Sequence, residues 1–412
     1  GYDWDHPALI ETYRGTQFGS PVDHNYNWHD AITGAGNGGI CVPDSPVPCD
    51  DHGHGTHTAG TMVGDDFGAN QIGVAPGAEW IGCRCMDQGD GTPGTYADCL
   101  QWMIAPTDLA GSNPDPARAP DVLNNSWSCP ASEGCTDINV LKTVVENVRA
   151  AGIVVVVSAG NEGPGCETVA RPIAIYDGSF SIGATDINDD IAGFSSRGAV
   201  SVDGSGRAKP DMSAPGVNVR SSIPGGSYSS SSGTSMAAPH VAGAVALLVS
   251  ANPGLRGDVD AIESILTATS VPKTSGETCS GVPGSSVPNH TFGHGILDVY
   301  AAYLDALNQA VGVDGAETVP ARSTVRNEPN PFNPATAIHF TLPAAGAVTM
   351  TVYDVRGRAI RSLLAGESLG AGPQTVRWDG TIDAETEAPS GVYFYRIEAG
   401  AFRATGRMNL VR

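Results

Sequence analysis

The sequence predicts an α/β protein, a parallel sheet with helices on both faces, followed by a small C-terminal antiparallel β-sandwich. Three observations predict it. Up to about residue 310, short apolar runs alternate with longer helical patterns, and that alternation means a parallel sheet covered on both sides. The run Ile153-Val154-Val155-Val156-Val157 is continuous and β-branched, the mark of a strand buried on both faces. Beyond about residue 311 the chain turns small and polar, and strand-like alternation then returns with no helical period.

Taken in order, strands are predicted over 79–83, 121–126, 152–158 and 180–185. Helices are predicted between them over 54–63, 96–105, 137–151, 235–250 and 259–269. This first domain spans residues 1–312, and 313–325 reads as a linker. The second domain, 326–412, opens on the turn-rich Asn330-Pro331-Phe332-Asn333-Pro334. Alternating runs follow over 336–342, 348–354 and 391–398. Asp354-Val355-Arg356-Gly357 and Trp378-Asp379-Gly380 supply turns. No short-period repeat is present.

A chain of 412 residues suits two domains. Its 22 Lys+Arg against 44 Asp+Glu, a formal charge of −22, excludes a nucleic-acid binder, which needs a basic stripe. Hydrophobic residues make up 41%, enough for a packed core, which excludes general disorder. No apolar run is read as the roughly 18 to 20 residues of a membrane span. Nine cysteines in a Gly/Pro-rich chain point to an oxidising, extracellular compartment with one thiol left over. Cys129 with Cys135 and Cys41 with Cys49 are near enough to bridge loops. Cys83 or Cys85 pairs with Cys99, and Cys166 and Cys279 have no evident partner.

Three segments carry the chemistry. In Asp51-His52-Gly53-His54-Gly55-Thr56-His57, glycines flank His54 and allow close approach of a substrate. His52, His54 and His57 also superficially resemble the zinc-binding cluster of metallo-β-lactamases, although Thr56 stands where that cluster has an aspartate. In Ser232-Gly233-Thr234-Ser235-Met236-Ala237-Ala238-Pro239-His240, a serine opens a strongly apolar helix. It is either a plain N-cap or a nucleophile whose own N–H faces a developing oxyanion. In Ser158-Ala159-Gly160-Asn161-Glu162-Gly163, Asn161 follows the most buried strand, where an amide can turn or point into a cleft.

These three segments, in their order along the chain, resemble the subtilisin-like serine proteases, and the resemblance covers residues 1 to about 310. Asn124-Asn125-Ser126-Trp127 and Gly163-Pro164-Gly165-Cys166 are most similar to the bacillopeptidase-F-like branch. The resemblance implies a serine endopeptidase acting on polypeptides, with His54 as general base and acid, Ser235 as nucleophile and Asn161 as oxyanion donor. It implies that Ser126, Trp127 and Ser128 pair with substrate as an edge strand. Ser158, Ala159 and Gly160 form the opposite wall. Ser128 stands where relatives often have glycine, and Trp127 is either core or a subsite wall.

The resemblance also implies an aspartate that orients the histidine. Gly1-Tyr2-Asp3-Trp4-Asp5-His6-Pro7 is similar to the stretch that starts at the glycine of the Asp-(Ser/Thr)-Gly motif. The triad aspartate and first strand are therefore expected just before Gly1, Asp3 matches a non-triad aspartate, and residues 1–412 are expected to be nearly inactive. No cofactor is implied for the chemistry. A structural calcium is implied for many relatives, but the loop 65–73, with Asp65 and Asp66, is short and better suits a solvated acidic loop.

Asn330-Pro331-Phe332-Asn333-Pro334, Val352-Tyr353-Asp354-Val355-Arg356-Gly357-Arg358 and Ser390-Gly391-Val392-Tyr393-Phe394-Tyr395 resemble FlgD-type Ig-like domains. That implies a stabilising spacer or a tag read by a secretion or surface-attachment system. Two other readings stand beside the peptidase: a catalytically dead peptide-binding or surface protein, and a zinc hydrolase.

Overall fold

Burial on both faces organises the first domain. In the computed structural model, Val154–Ser158 is buried at every position and forms the second strand of a four-stranded sheet. The described residues are 1–16, 21–34, 39–310, 326–330, 332–342, 344–354, 358–382, 386–400 and 402–411. The sheet runs Val122–Asn125, Val154–Ser158, Phe180–Thr185, Met212–Pro215, and each neighbouring pair is parallel. A separate parallel pair joins Trp28–Asp30 to Gly82–Arg84.

Helices cover both faces, as the alternation predicts. On one, Pro93–Ile104 and Lys142–Ala150 pack over Val155, Val157 and Leu123. Thr92 and Thr95 form a reciprocal capping box at the start of Pro93–Ile104, with Pro93 at the first helical position. On the other face, Thr234–Ala251 and Val259–Thr269 pack over Val154, Val156 and Ile182. Asp258 caps Val259–Thr269 by accepting from Ala261 N. Thr234–Ala251 is long and apolar enough to cross a membrane by composition, yet it is a core helix wrapped by its own domain. Its small residues permit this: a Cβ on Gly243 would lie 2.7 Å from Val74 Cβ.

Arg84 is fully buried at the end of Gly82–Arg84. It holds three carboxylates: Asp30 at 3.2 Å, Asp51 at 2.6 Å and Asp87 at 2.8 Å. A guanidinium suits this role because its fork of N–H groups serves several acceptors at once. The cluster ties three distant chain segments together just upstream of His54.

Four disulfides close the domain: Cys41–Cys49, Cys83–Cys99, Cys129–Cys135 and Cys166–Cys279. Cys166 and Cys279, with no evident partner in the sequence, bridge each other across 113 residues. Cys85 is the thiol left over among the described residues. Cys83 and Cys85 face opposite ways from one extended segment, so one reaches Cys99 and the other does not.

The chain divides into two compact units, Gly1–Asp314 and Gly315–Arg412. The expected linker at 313–325 lies outside the described residues, as does the turn at 355–357. Within the second unit all strands pair antiparallel. One sheet is Arg326–Glu328, Thr336–Leu342, Gly372–Trp378. The other is Ala359–Leu369, Gly346–Tyr353, Gly391–Ala399, Phe402–Leu410. Alternate positions bury Ile338, Phe340, Val348, Met350, Val352 and Trp378 in one core, the inside–outside pattern of a sandwich.

Candidate active site

The strands of the first domain end at the face where three helices or loops begin. Ser235 is the second residue of Thr234–Ala251, and its Oγ donates to Ser126 O at 3.2 Å. Ser126 Oγ donates back to Ser235 O at 2.8 Å. This reciprocal pair locks the serine to the segment that leaves strand Val122–Asn125.

Asn161 sits just past strand Val154–Ser158. Its Oδ1 accepts from Thr234 N at 2.9 Å and from Thr234 Oγ1 at 3.0 Å. Thr234 Oγ1 in turn accepts from Gly160 N at 3.2 Å. Both bonds engage the amide's oxygen, so Nδ2 is directed outward. A Cβ on Gly233 would lie 3.6 Å from Asn161 Nδ2 and 3.7 Å from Ser235 N. Both nitrogens therefore lie close to the Gly233 backbone, at the helix start that carries Ser235. Gly160 makes the turn possible: its φ is +110°, and a Cβ there would come within 2.7 Å of Ser196 Oγ.

His54 is the first residue of His54–Val63. It lines a cavity of about 360 Å³ together with Asn125, Ser126, Trp127 and Ser128. It shares a second depression with Ser231 and Met236, the neighbour of Ser235. Burial pushes the imidazole down to about 4, and the nearby His52 and His57 add to the effect. At neutral pH the ring is uncharged and able to accept a proton. Among the described residues, no hydrogen bond joins His54 directly to Ser235, and no carboxylate hydrogen-bonds the imidazole. Asp3 does not serve: its N donates to Thr56 Oγ1 at 2.9 Å, and its carboxylate accepts from Gly225 N at 2.8 Å.

The sequence places the other residues with mixed success. Trp127 is half-buried and stacks on Tyr96 at 3.9 Å, so it packs on the core and lines the cavity at once. Ser158 and Ala159 are buried at the end of their strand rather than lining that cavity. The three histidines do not converge. His57 Nε2 bonds Val219 O at 3.1 Å, while the His52 and His54 rings lie 6.2 Å apart. Among the described residues, no group of three or more His, Cys, Asp or Glu is placed to hold a metal ion. Asp66 is engaged by its own loop, accepting from Gly68 N at 2.9 Å and Asn70 N at 3.0 Å. Those bonds, led by that from the Asn70 side chain, hold its carboxyl down to about 2.

Two residues that the motifs did not single out belong to this geometry: Thr234, which fixes the Asn161 amide, and Asp50, which faces the start of the His54 helix. The signal for Asp50 was present, an acidic residue four positions ahead of a helix start.

The structure thus sets Ser235 and His54 each at a helix start, with Asn161 hydrogen-bonded to Thr234 beside the serine. Residues 1–295 match the Subtilase family, and the chain belongs to that family. Residues 332–401 match the FlgD Ig-like domain. The chain is 42% identical to bacillopeptidase F of Bacillus subtilis (strain 168) over 336 residues, 78% of this chain and 21% of that protein. It is 37% identical to subtilisin Savinase of Lederbergia lenta over 217 residues, 52% of this chain and 70% of that protein. It is 37% identical to subtilisin E of Bacillus subtilis (strain 168), covering 52% of this chain and 51% of that protein. The chain thus spans about a fifth of the length of bacillopeptidase F and about half that of subtilisin E.

Proposed function

We propose that this chain is an extracellular serine endopeptidase that cleaves polypeptides through an acyl-enzyme on Ser235. One observation carries the reading: Asn161 Nδ2 and Ser235 N both lie close to the Gly233 backbone, at the helix start that carries Ser235. In this mechanism, Ser235 Oγ attacks the scissile carbonyl and His54, neutral above about pH 4, takes the hydroxyl proton. The negative oxygen that forms is held by Asn161 Nδ2 and Ser235 N. His54 then protonates the leaving amine, and a water activated by the same ring releases the acyl group. Ser126, Trp127 and Ser128 present an edge to the substrate backbone, and Ser158, Ala159 and Gly160 support the opposite wall. The chemistry needs no cofactor. A calcium ion, if bound, is structural, and a chelator then lowers the melting temperature. The four disulfides support an extracellular setting. The sandwich domain serves as a spacer or as a tag read by a secretion or attachment system.

A second reading is favoured by a specific observation. No described carboxylate orients His54, and a subtilase scaffold in that condition binds peptide with slow turnover or none. In subtilisin itself, whose residues have been removed one by one, loss of the orienting acid lowers turnover roughly 10⁴-fold. A fluorophosphonate probe separates the two. On the peptidase reading it labels Ser235 of residues 1–412 slowly but stoichiometrically, and Ser235→Ala abolishes labelling. Complete inertness of the wild-type chain would refute the peptidase reading in favour of the binding scaffold.

A further inference from the structure

We propose that Asp50 is a positioning residue for the chemistry at His54, acting through the first turn of the His54 helix. This rests on the peptidase reading and adds to it.

Asp50 is buried four residues ahead of His54, 7% exposed. One carboxylate oxygen accepts from His52 N at 3.0 Å and from Gly53 N at 2.8 Å. The other accepts from Thr56 N at 3.1 Å and from Thr56 Oγ1 at 2.5 Å. Four donors from three residues meet one side chain, and those residues bracket His54 on both sides.

The physical need for such a clamp is local. The residue that precedes the helix is Gly53, with φ of +87° and no side chain to cap the free N–H groups. Glycine is also the least restrained link in a chain, so nothing in residue 53 itself fixes the direction in which His54 leaves. Asp50 supplies the missing acceptor and sits at the positive end of the helix, which favours its charge. Although burial pushes the carboxyl up, Thr56 and the Gly53 and His52 amides hold it below the usual carboxylate range. Its own backbone is anchored by its neighbour: Asp51 is paired with the fully buried Arg84 at 2.6 Å. Asp50 thus transmits the rigidity of the strand Gly82–Arg84 to the helix start that carries the imidazole. It touches neither substrate nor the reacting atoms.

The test compares residues 1–412 with Asp50→Asn and Thr56→Val, using a fluorophosphonate probe and separating its binding constant from the rate of the covalent step. Asp50→Asn keeps the shape and removes the acceptor charge. The covalent step is expected to slow about tenfold or more, the scale on which sub-ångström misplacement acts, with probe binding unchanged. Thr56→Val, which removes one of the four donors, is expected to slow it about two- to threefold and keeps the proposal testable if Asp50→Asn does not fold. A lowered melting temperature with an unchanged covalent rate would mean a plain helix cap and would overturn the proposal. Failure of the wild-type chain to react at all speaks against the peptidase reading instead. In that case the His54 ring resonances decide: exchange broadening in Asp50→Asn supports positioning, and unchanged, sharp signals overturn it.

Discussion

The two helix starts at the cleft use one physical resource in opposite ways. Each presents free backbone N–H groups and the positive end of a helix dipole. At His54–Val63, Thr56 N and the N–H of the preceding Gly53 are filled from within, by the Asp50 carboxylate. At Thr234–Ala251, Thr234 N is filled by Asn161 Oδ1 and Met236 N by Gly233 O, while Ser235 N makes no hydrogen bond among the described residues. An internal anion closes the first start and makes it rigid. The second is left open beside a serine, where the proposed reaction brings an anion for an instant. A helix start is thus structural or chemical according to whether a carboxylate within reach has already taken it.

This contrast can be broken in several ways. The largest effect is expected at the open start: Ser235→Ala removes the nucleophile, and both fluorophosphonate labelling and peptide turnover should fall to background. Asn161→Ala keeps the serine and removes one of the two proposed oxyanion donors. The rate constant of the covalent step is expected to drop about 10²- to 10³-fold with little change in KM. If KM rises and the covalent step holds its rate, the amide is a binding group and carries no chemistry.

A third expectation concerns pH and the closed start. The His54 pKa is lowered in the folded protein, to about 4, from an ordinary value of 6.5. Between those values the unfolded chain binds a proton that the folded one refuses, so this group removes stability as pH falls from 6.5 towards 4. The melting temperature of His54→Gln should fall less over that window than that of the parent. The same depression predicts that the acidic limb of the rate profile lies near pH 4; a limb at pH 6.5 would place His54 in water. The smallest effect is expected for the stability of Thr56→Val, about 1 kcal/mol by denaturant titration, the usual worth of one intramolecular hydrogen bond.

The legibility of the fold followed local signal strength. Helices His54–Val63 and Val259–Thr269 and strands Phe180–Thr185 and Thr336–Leu342 coincide with their predicted ranges. Each has either a sharp start signal or an unbroken pattern. The helix expected from residue 137 begins only at Lys142, because Asp137 and its neighbours form turns first. The hairpin Val219–Ile223 with Ser227–Ser231 was not predicted: Ser-Tyr-Ser-Ser-Ser has no apolar alternation, and neighbours rather than propensity make it a strand. Helix Val299–Ala310 and strands Trp28–Asp30, Met212–Pro215, Ala359–Leu369, Gly372–Trp378 and Phe402–Leu410 were likewise missed. They are short, half-polar or placed at a change of composition.

What the sequence determined alone was whatever is written within a few residues: the β-branched strand at 154–158, the helix that opens at His54 and the serine set at the head of a small-residue helix, while Cys41 with Cys49 and Cys129 with Cys135 were marked only as near enough to bridge. Only the tertiary structure decided the contacts between segments far apart in the chain. It joined Cys166 to Cys279, turned His57 away from His54 towards Val219, and brought the Asn161 amide against Thr234. The reason is that periodicity and capping report on neighbours three or four residues apart. Which oxygen meets which N–H across a cleft is settled by how the covering helices pack on the sheet, and no local pattern encodes that.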